Sequence, residues 1–317
     1  METQVRLYSR STEAEEPELL ERPKAPTFLD VRDLCVPLGE CVTVRLGPVD
    51  PSVCTRLAEN RFDQAPVQVP SADIGWRIVA RKELERLAAD GHALTDDPTS
   101  FLSKDTFDVQ SVGYPSVTDL VDALTRAPAV LAYGVAYSSE LLPDGAESQP
   151  KVRRVQIYGL VTRSDLNKHP IRLAIFDCLA RFEQGLARLV SAAFDEPWEW
   201  IRKLSPESQV RILGYMALSE RRGVEHKPVA GAMLPDLLNV IAKTPALLRR
   251  LGFRSRGEFD DPTGGLADIR NRVMHPVRPL VLGEEDVRSI RDVLTTADDL
   301  GQRVVSALRD IAREATS

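Results

Sequence analysis

The chain changes its hydrophobic period once, at Pro170, and that change limits what it can fold into. Beyond the proline, Ile171, Ile175, Cys178, Leu179, Phe182, Leu186, Leu189, Val190 and Ala193 recur at intervals of three and four. That spacing lays one apolar stripe along a helix of roughly 24 residues. Pro170 itself suits a first helical turn, where its missing N–H goes unused. Further helices are expected over 207–221, 235–243, 245–251 and 264–274, and from residue 284 to about 313. In the last of these, Val287, Ile290, Leu294, Ala297, Val304, Leu308 and Ile311 form the stripe. Glu284, Glu285 and Asp286 sit at its start, matching the positive end of the helix dipole. Residues 169–317 therefore read as an all-α bundle.

Residues 27–168 have a different texture, with short valine-rich strands and short helices broken by Pro and Gly. A helix-strand-strand-helix unit reads at 54–59, 66–69, 76–80 and 81–89, and again at 117–125, 129–132, 155–161 and 163–168. A unit used twice is the signature of an internal repeat. The repeats occupy about 30–90 and 115–168, and residues 141–151 are expected to form a loop between paired strands. The fold class is α+β, an N-terminal α/β pair followed by a helical bundle. Residues 1–26 are acidic, contain proline and lack the apolar stretch of a secretory signal, so they are expected to be a flexible tail on a cytoplasmic protein.

Composition narrows the function. The 317 residues suffice for two cores. No apolar run reaches the roughly 18 residues that a membrane span needs, so no membrane partner is expected. The four cysteines, Cys35, Cys41, Cys54 and Cys178, form no CxxC pair and have no histidine at ligand spacing. Neither a metal site nor a disulfide framework is expected. With 41 basic and 47 acidic residues the net charge is -6, which excludes general affinity for nucleic acid; any such contact must be local.

One segment reverses that charge. Residues 243–278 carry Lys243, Arg249, Arg250, Arg254, Arg256, Arg270, Arg272 and Arg278 against four acids. Within it runs Leu266-Ala267-Asp268-Ile269-Arg270-Asn271-Arg272-Val273-Met274-His275-Pro276. Asn271 and His275 are four apart, about 40° on a helical wheel, and can face one cleft. Pro276 disfavours helical geometry at His275, and an arginine side chain is long, so Arg270 can converge on them. Cleaving RNA by attack of a 2′-hydroxyl on its own phosphate needs a proton carrier and a fixed cation for the charged phosphorane. Histidine and arginine are suited to those roles, and an amide such as Asn271 can orient the imidazole or hold a phosphate oxygen. Arg254, Arg256, Arg272 and Arg278 are the expected RNA contacts.

The Arg270-Asn271-x3-His275 spacing in a late helix of a bundle resembles the HEPN ribonucleases. The resemblance implies a metal-independent endoribonuclease that leaves a 2′,3′-cyclic phosphate and dimerises so that two motifs form one cleft. It also implies that Glu183, on the long helix after Pro170, supports Arg270.

In the second repeat, Gly159-Leu160-Val161-Thr162-Arg163-Ser164-Asp165-Leu166 resembles the closing motif of CBS domains. The resemblance implies an adenine-nucleotide site using Gly159, Thr162 near phosphate and Asp165 at the ribose hydroxyls. The first repeat, with Phe62-Asp63-Gln64-Ala65-Pro66-Val67 and Ile78-Val79-Ala80-Arg81-Lys82-Glu83-Leu84, departs from it: Ala80 and Glu83 stand where the threonine and aspartate belong. One nucleotide site at most is expected. The combined expectation is an endoribonuclease gated by an adenine nucleotide effector, with no cofactor required for the chemistry. The alternative is a catalytically inactive, nucleotide-responsive regulator that binds RNA or protein.

Overall fold

The structure, a computed structural model, describes residues 34–72, 74–102, 106–108, 117–138, 151–224 and 227–316. The expected tail (1–26), residues 141–150 of the expected 141–151 loop and His226 lie outside the described residues, and Lys151 belongs to a strand instead of the loop. The chain is α+β, with its strands in the N-terminal part and a helical C-terminal part. No described helix is long and apolar enough to cross a membrane.

The first repeat contains α1 (Pro51–Glu59), β4 (Gln64–Gln68), β5 (Trp76–Ala80) and α2 (Arg81–Ala89). Asp50 starts α1 by accepting the Ser52 N–H at 2.8 Å, with Pro51 in the first turn. The second contains α3 (Val117–Arg126), β8 (Ala129–Ser138) and β9 (Lys151–Thr162), followed by a 3-10 turn, Arg163–Asn167.

The two units share one pairing scheme. In the first, β2 (Val44–Arg45) runs parallel to β4, which pairs antiparallel with β5. In the second, β7 (Thr106–Asp108) runs parallel to β8, which pairs antiparallel with β9. β1 (Val36–Pro37) adds to the outer edge of β9. β3 (Gly47–Pro48) pairs with β6 (Ala93–Leu94).

The bundle consists of α4 (His169–Ala193), α5 (Pro197–Ile201), α6 (Pro206–Arg221), α7 (Leu234–Ala242), α8 (Pro245–Arg250), α9 (Arg256–Thr263), α10 (Leu266–Met274) and α11 (Glu284–Thr316). The stripe of α4 is buried as its period requires, with Ile171, Ile175, Leu179, Leu186, Leu189 and Val190 inaccessible. Trp200 of α5 is buried and Trp198 packs against the same core.

Burial along β8 explains its unbroken apolar run. Successive strand residues point to opposite faces. Ala129 and Leu131 join Ile78 and Leu160 in a small cluster toward the first repeat. Val130 and Ala132 join α3, α4 and α11 in the main core. That core is continuous from Val117, Leu120 and Leu124 to Val287, Ile290 and Leu294. The first repeat has its own core around Leu57, Val67, Val79 and Leu84.

Candidate functional site

The segment carrying Arg270, Asn271 and His275 is held by a residue that sequence reasoning missed. Arg172, in the first turn of α4, is only 5% exposed and makes no ion pair with a described residue. Its guanidinium instead donates to backbone carbonyls: Nη1 to Arg272 at 3.1 Å and to His275 at 3.4 Å, Nη2 to Arg278, and Nε to Asn167 at 3.4 Å. Burial first, and the nearby Arg272 guanidinium second, push its pKa down. A fork of donors with fixed geometry is suited to gathering carbonyls that a helix end leaves without partners. Its only sequence trace is a cation on the apolar stripe of a helix.

Around that clamp the motif takes shape. α10 ends at Met274, and His275 leaves the helix with φ -106° and ψ 83°, as the following Pro276 favours. The Arg278 N–H donates to the His275 carbonyl at 3.0 Å, closing a turn. The side chains of Asn271 and His275 are exposed and make no hydrogen bond to a described residue. Arg270 is part-buried and its Nη2 lies 3.5 Å from Glu183 Oε2 on α4. Its Nε–H is buried and has no partner among the described residues.

The other cations of this segment are mostly engaged. Arg272 bonds the Leu280 carbonyl and pairs with Asp286 at 2.8 Å. Arg256 pairs with Asp260 at 2.9 Å, Arg250 with Glu314, and Lys243 donates to the Lys203 carbonyl. Arg254 and Arg278 are exposed and make no ion pair with a described residue. Of the four expected RNA contacts, these two present uncommitted charge, Arg256 is paired at the surface, and Arg272 is committed to the fold.

Of the second group of expected residues, Thr162 and Asp165 line a cavity of about 400 Å³ and Gly159 is not in its lining; the volume is within the size range of small-molecule sites. Thr162, Ser164 and Asp165 form one wall, Arg61, Phe62, Asp63 and Gln64 of the first repeat another, and residues 281–284 a third. Asp165 is turned inward. One carboxylate oxygen accepts the Thr162 N–H at 2.7 Å and its hydroxyl at 2.8 Å, and the other pairs with Lys168 at 2.9 Å. This is a local cap of the 3-10 turn, and a ribose hydroxyl would have to compete with it. Gly159 has a structural cause of its own, since a Cβ there would meet the Val36 carbonyl oxygen at 2.1 Å. Cys41 also lines the cavity, and burial pushes its thiol up to about 11.

Cavity and motif share a connection. Asn167, two residues after Asp165, accepts the Leu280 and Val281 N–H groups at 2.6 and 2.9 Å and donates to the Val281 carbonyl at 2.9 Å. Arg163 reaches Glu284, at the start of α11, at 2.9 Å. Asp286 accepts the Leu282 and Gly283 N–H groups. The cavity wall at 281–284 is thus the continuation of the turn that presents His275.

Among the described residues no three His, Cys, Asp or Glu side chains cluster in a way that could hold a metal. No family model, curated protein or solved structure matches the chain.

Proposed function

We propose that the chain is a metal-independent endoribonuclease whose activity is gated by an adenine nucleotide in the cavity beside Thr162. The contact that carries the reading is Arg270 with Glu183. It joins two segments far apart in sequence, orients the arginine from one side, and leaves Nη1 without a partner among the described residues, able to meet a phosphate. In the proposed reaction the RNA 2′-oxygen bonds to phosphorus as His275 takes its proton. The P–O5′ bond breaks, the leaving 5′-oxygen takes a proton back from the His275 imidazolium, and a 2′,3′-cyclic phosphate remains. A homodimer would set two such motifs in one cleft. Support for gating is the shared segment: a ligand against residues 281–284 acts on the Asn167 and Asp286 contacts that tether the His275 turn.

The test is cleavage of varied RNAs by the purified chain, with EDTA, with and without ATP, ADP or AMP. Cleavage that survives EDTA and is lost in His275→Ala and Arg270→Ala supports the reading. A wild-type chain inert on all RNAs would sink it and leave the nucleotide-responsive binding protein. Ser164→Trp, which fills the cavity from an exposed position, is expected to abolish nucleotide binding and its effect on cleavage. Unchanged control by nucleotide in that variant would rule out gating through this cavity.

A further inference from the structure

Helix α6 is apolar on both sides, and only one side is covered. Its inner face carries Ile212, Tyr215 and Ser219, with Tyr215 packed against Gly231. Its outer face carries Val210, Gly214, Ala217 and Leu218, all exposed; Val210 is 70% and Leu218 46% accessible. With Glu207 and Arg221 these side chains fall within about 100° of arc on a helical wheel. That arrangement leaves Val210 and Leu218 in water with no described residue covering them. Gly214 sharpens the anomaly. A mid-helix glycine costs up to about 1 kcal/mol against alanine, and here a Cβ would enter open space. Nothing in the packing of the described residues requires its smallness.

Two pairs of residues on this face are placed symmetrically about Gly214, while the mirror position of Ala217 is held by Arg211, which pairs with Asp236. Val210 and Leu218 lie four residues either side of Gly214, and Glu207 and Arg221 lie seven either side. Neither Glu207 nor Arg221 makes an ion pair with a described residue. An isologous contact places a residue n positions before the two-fold axis opposite the residue n positions after it. Antiparallel packing about Gly214 therefore sets Val210 against Leu218 and Glu207 against Arg221, at both ends at once.

We infer that α6 is a self-association surface on which a second copy of this chain packs antiparallel, with the two-fold axis at Gly214 and two Glu207–Arg221 ion pairs flanking the apolar centre. Absence of a side chain at the crossing lets the helices approach closely. The inference is independent of the cleavage reading.

Sedimentation of the full chain tests it. Wild-type protein is expected to be dimeric at tens of micromolar. Glu207→Arg and Arg221→Glu are each expected to weaken the dimer at least tenfold, and the double variant to restore it to within a few fold. Val210→Asp is expected to give a monomer with an unchanged circular dichroism spectrum, its melting temperature lower only by the stabilisation that association supplies. Gly214→Cys, on the axis, is expected to form a disulfide-linked dimer under mild oxidation that the parent chain does not form. A monomeric wild type, a dimer indifferent to Val210→Asp, or a double charge reversal no better than either single change would overturn the inference. A dimer of this kind with no RNA cleavage would support the surface and sink the nuclease reading; cleavage by a chain whose dimer is indifferent to Val210→Asp would do the reverse.

Discussion

Glu183 Oε2 stands 3.5 Å from Arg270 Nη2, a half-buried ion pair that joins α4 to α10 and the motif. If it orients the arginine for a phosphate, Glu183→Gln should lower single-turnover RNA cleavage by roughly 10–100-fold, the range expected when a charge-stabilising group is misplaced by about an ångström. The melting temperature should move little. An unchanged rate would show that the acid has no part in positioning.

Arg172 supplies donors to four carbonyls from a buried position. Arg172→Met should destabilise the chain by about 2–4 kcal/mol in urea titration, since those acceptors lose their donor without access to water. Hydrogen exchange should rise first at residues 275–281. Uniform loss of protection across the bundle would mean that the residue serves general stability and not this turn.

The two arginines show what a linear reading can recover. Arg270, Glu183 and His275 were expected from spacing and resemblance, and the structure brings the first two into contact. Arg172 was invisible because its partners are backbone carbonyls, three of the four about a hundred positions away, which leave no side-chain pattern to match. The long helices were legible for the opposite reason. The stripes of α4 and α11 are local, and the observed bounds, His169–Ala193 and Glu284–Thr316, agree closely with those read from the period. Two short helices were missed: α5, a single turn, and α9, which contains Pro262. The helix expected near 264–274 is present as α10, starting two residues later because the chain turns at Gly264 and Gly265 after α9. The basic segment was correct as a composition, but its ion pairs with Glu183, Asp260, Asp286 and Glu314 come from folding and could not be counted beforehand.

Gly159→Ala should cost about 1–3 kcal/mol, the range for forcing extra atoms into a packed site. The obstructing atom is the Val36 carbonyl oxygen, which no side-chain rotation can move. The measurement is the melting temperature together with the exchange of the β1 amides. A neutral substitution would show that β1 does not pack against β9 as described.

Asp286 links stability to pH. Burial would raise its pKa, but the Leu282 N–H, the Arg272 guanidinium and the Gly283 N–H outweigh it and hold the carboxyl below the usual aspartate range. A folded-state pKa below the unfolded one contributes stability that is present above the unfolded value, near pH 4, and is lost as pH falls through the folded value. Asp286→Asn should therefore be less stable than wild type at neutral pH, with the difference shrinking below about pH 4. A difference constant from pH 7 to pH 2 would contradict this account.

Cys41, with its thiol near 11, should be about one part in a thousand thiolate at pH 8 and alkylate far more slowly than a free cysteine. Peptide mass spectrometry after timed iodoacetamide treatment reads this directly. Rapid labelling of Cys41 in the folded chain would be inconsistent with its burial.

The two-faced strand β8 has a consequence for how such a chain can be taken apart. Cutting at the Lys168–His169 junction would bare Val130, Ala132 and Val161 on one fragment and the matching stripes of α4 and α11 on the other. Neither piece would keep a water-compatible surface. The halves therefore cannot be exchanged as cassettes by recombination at that point, and any inherited change in one is answerable to the shape of the other.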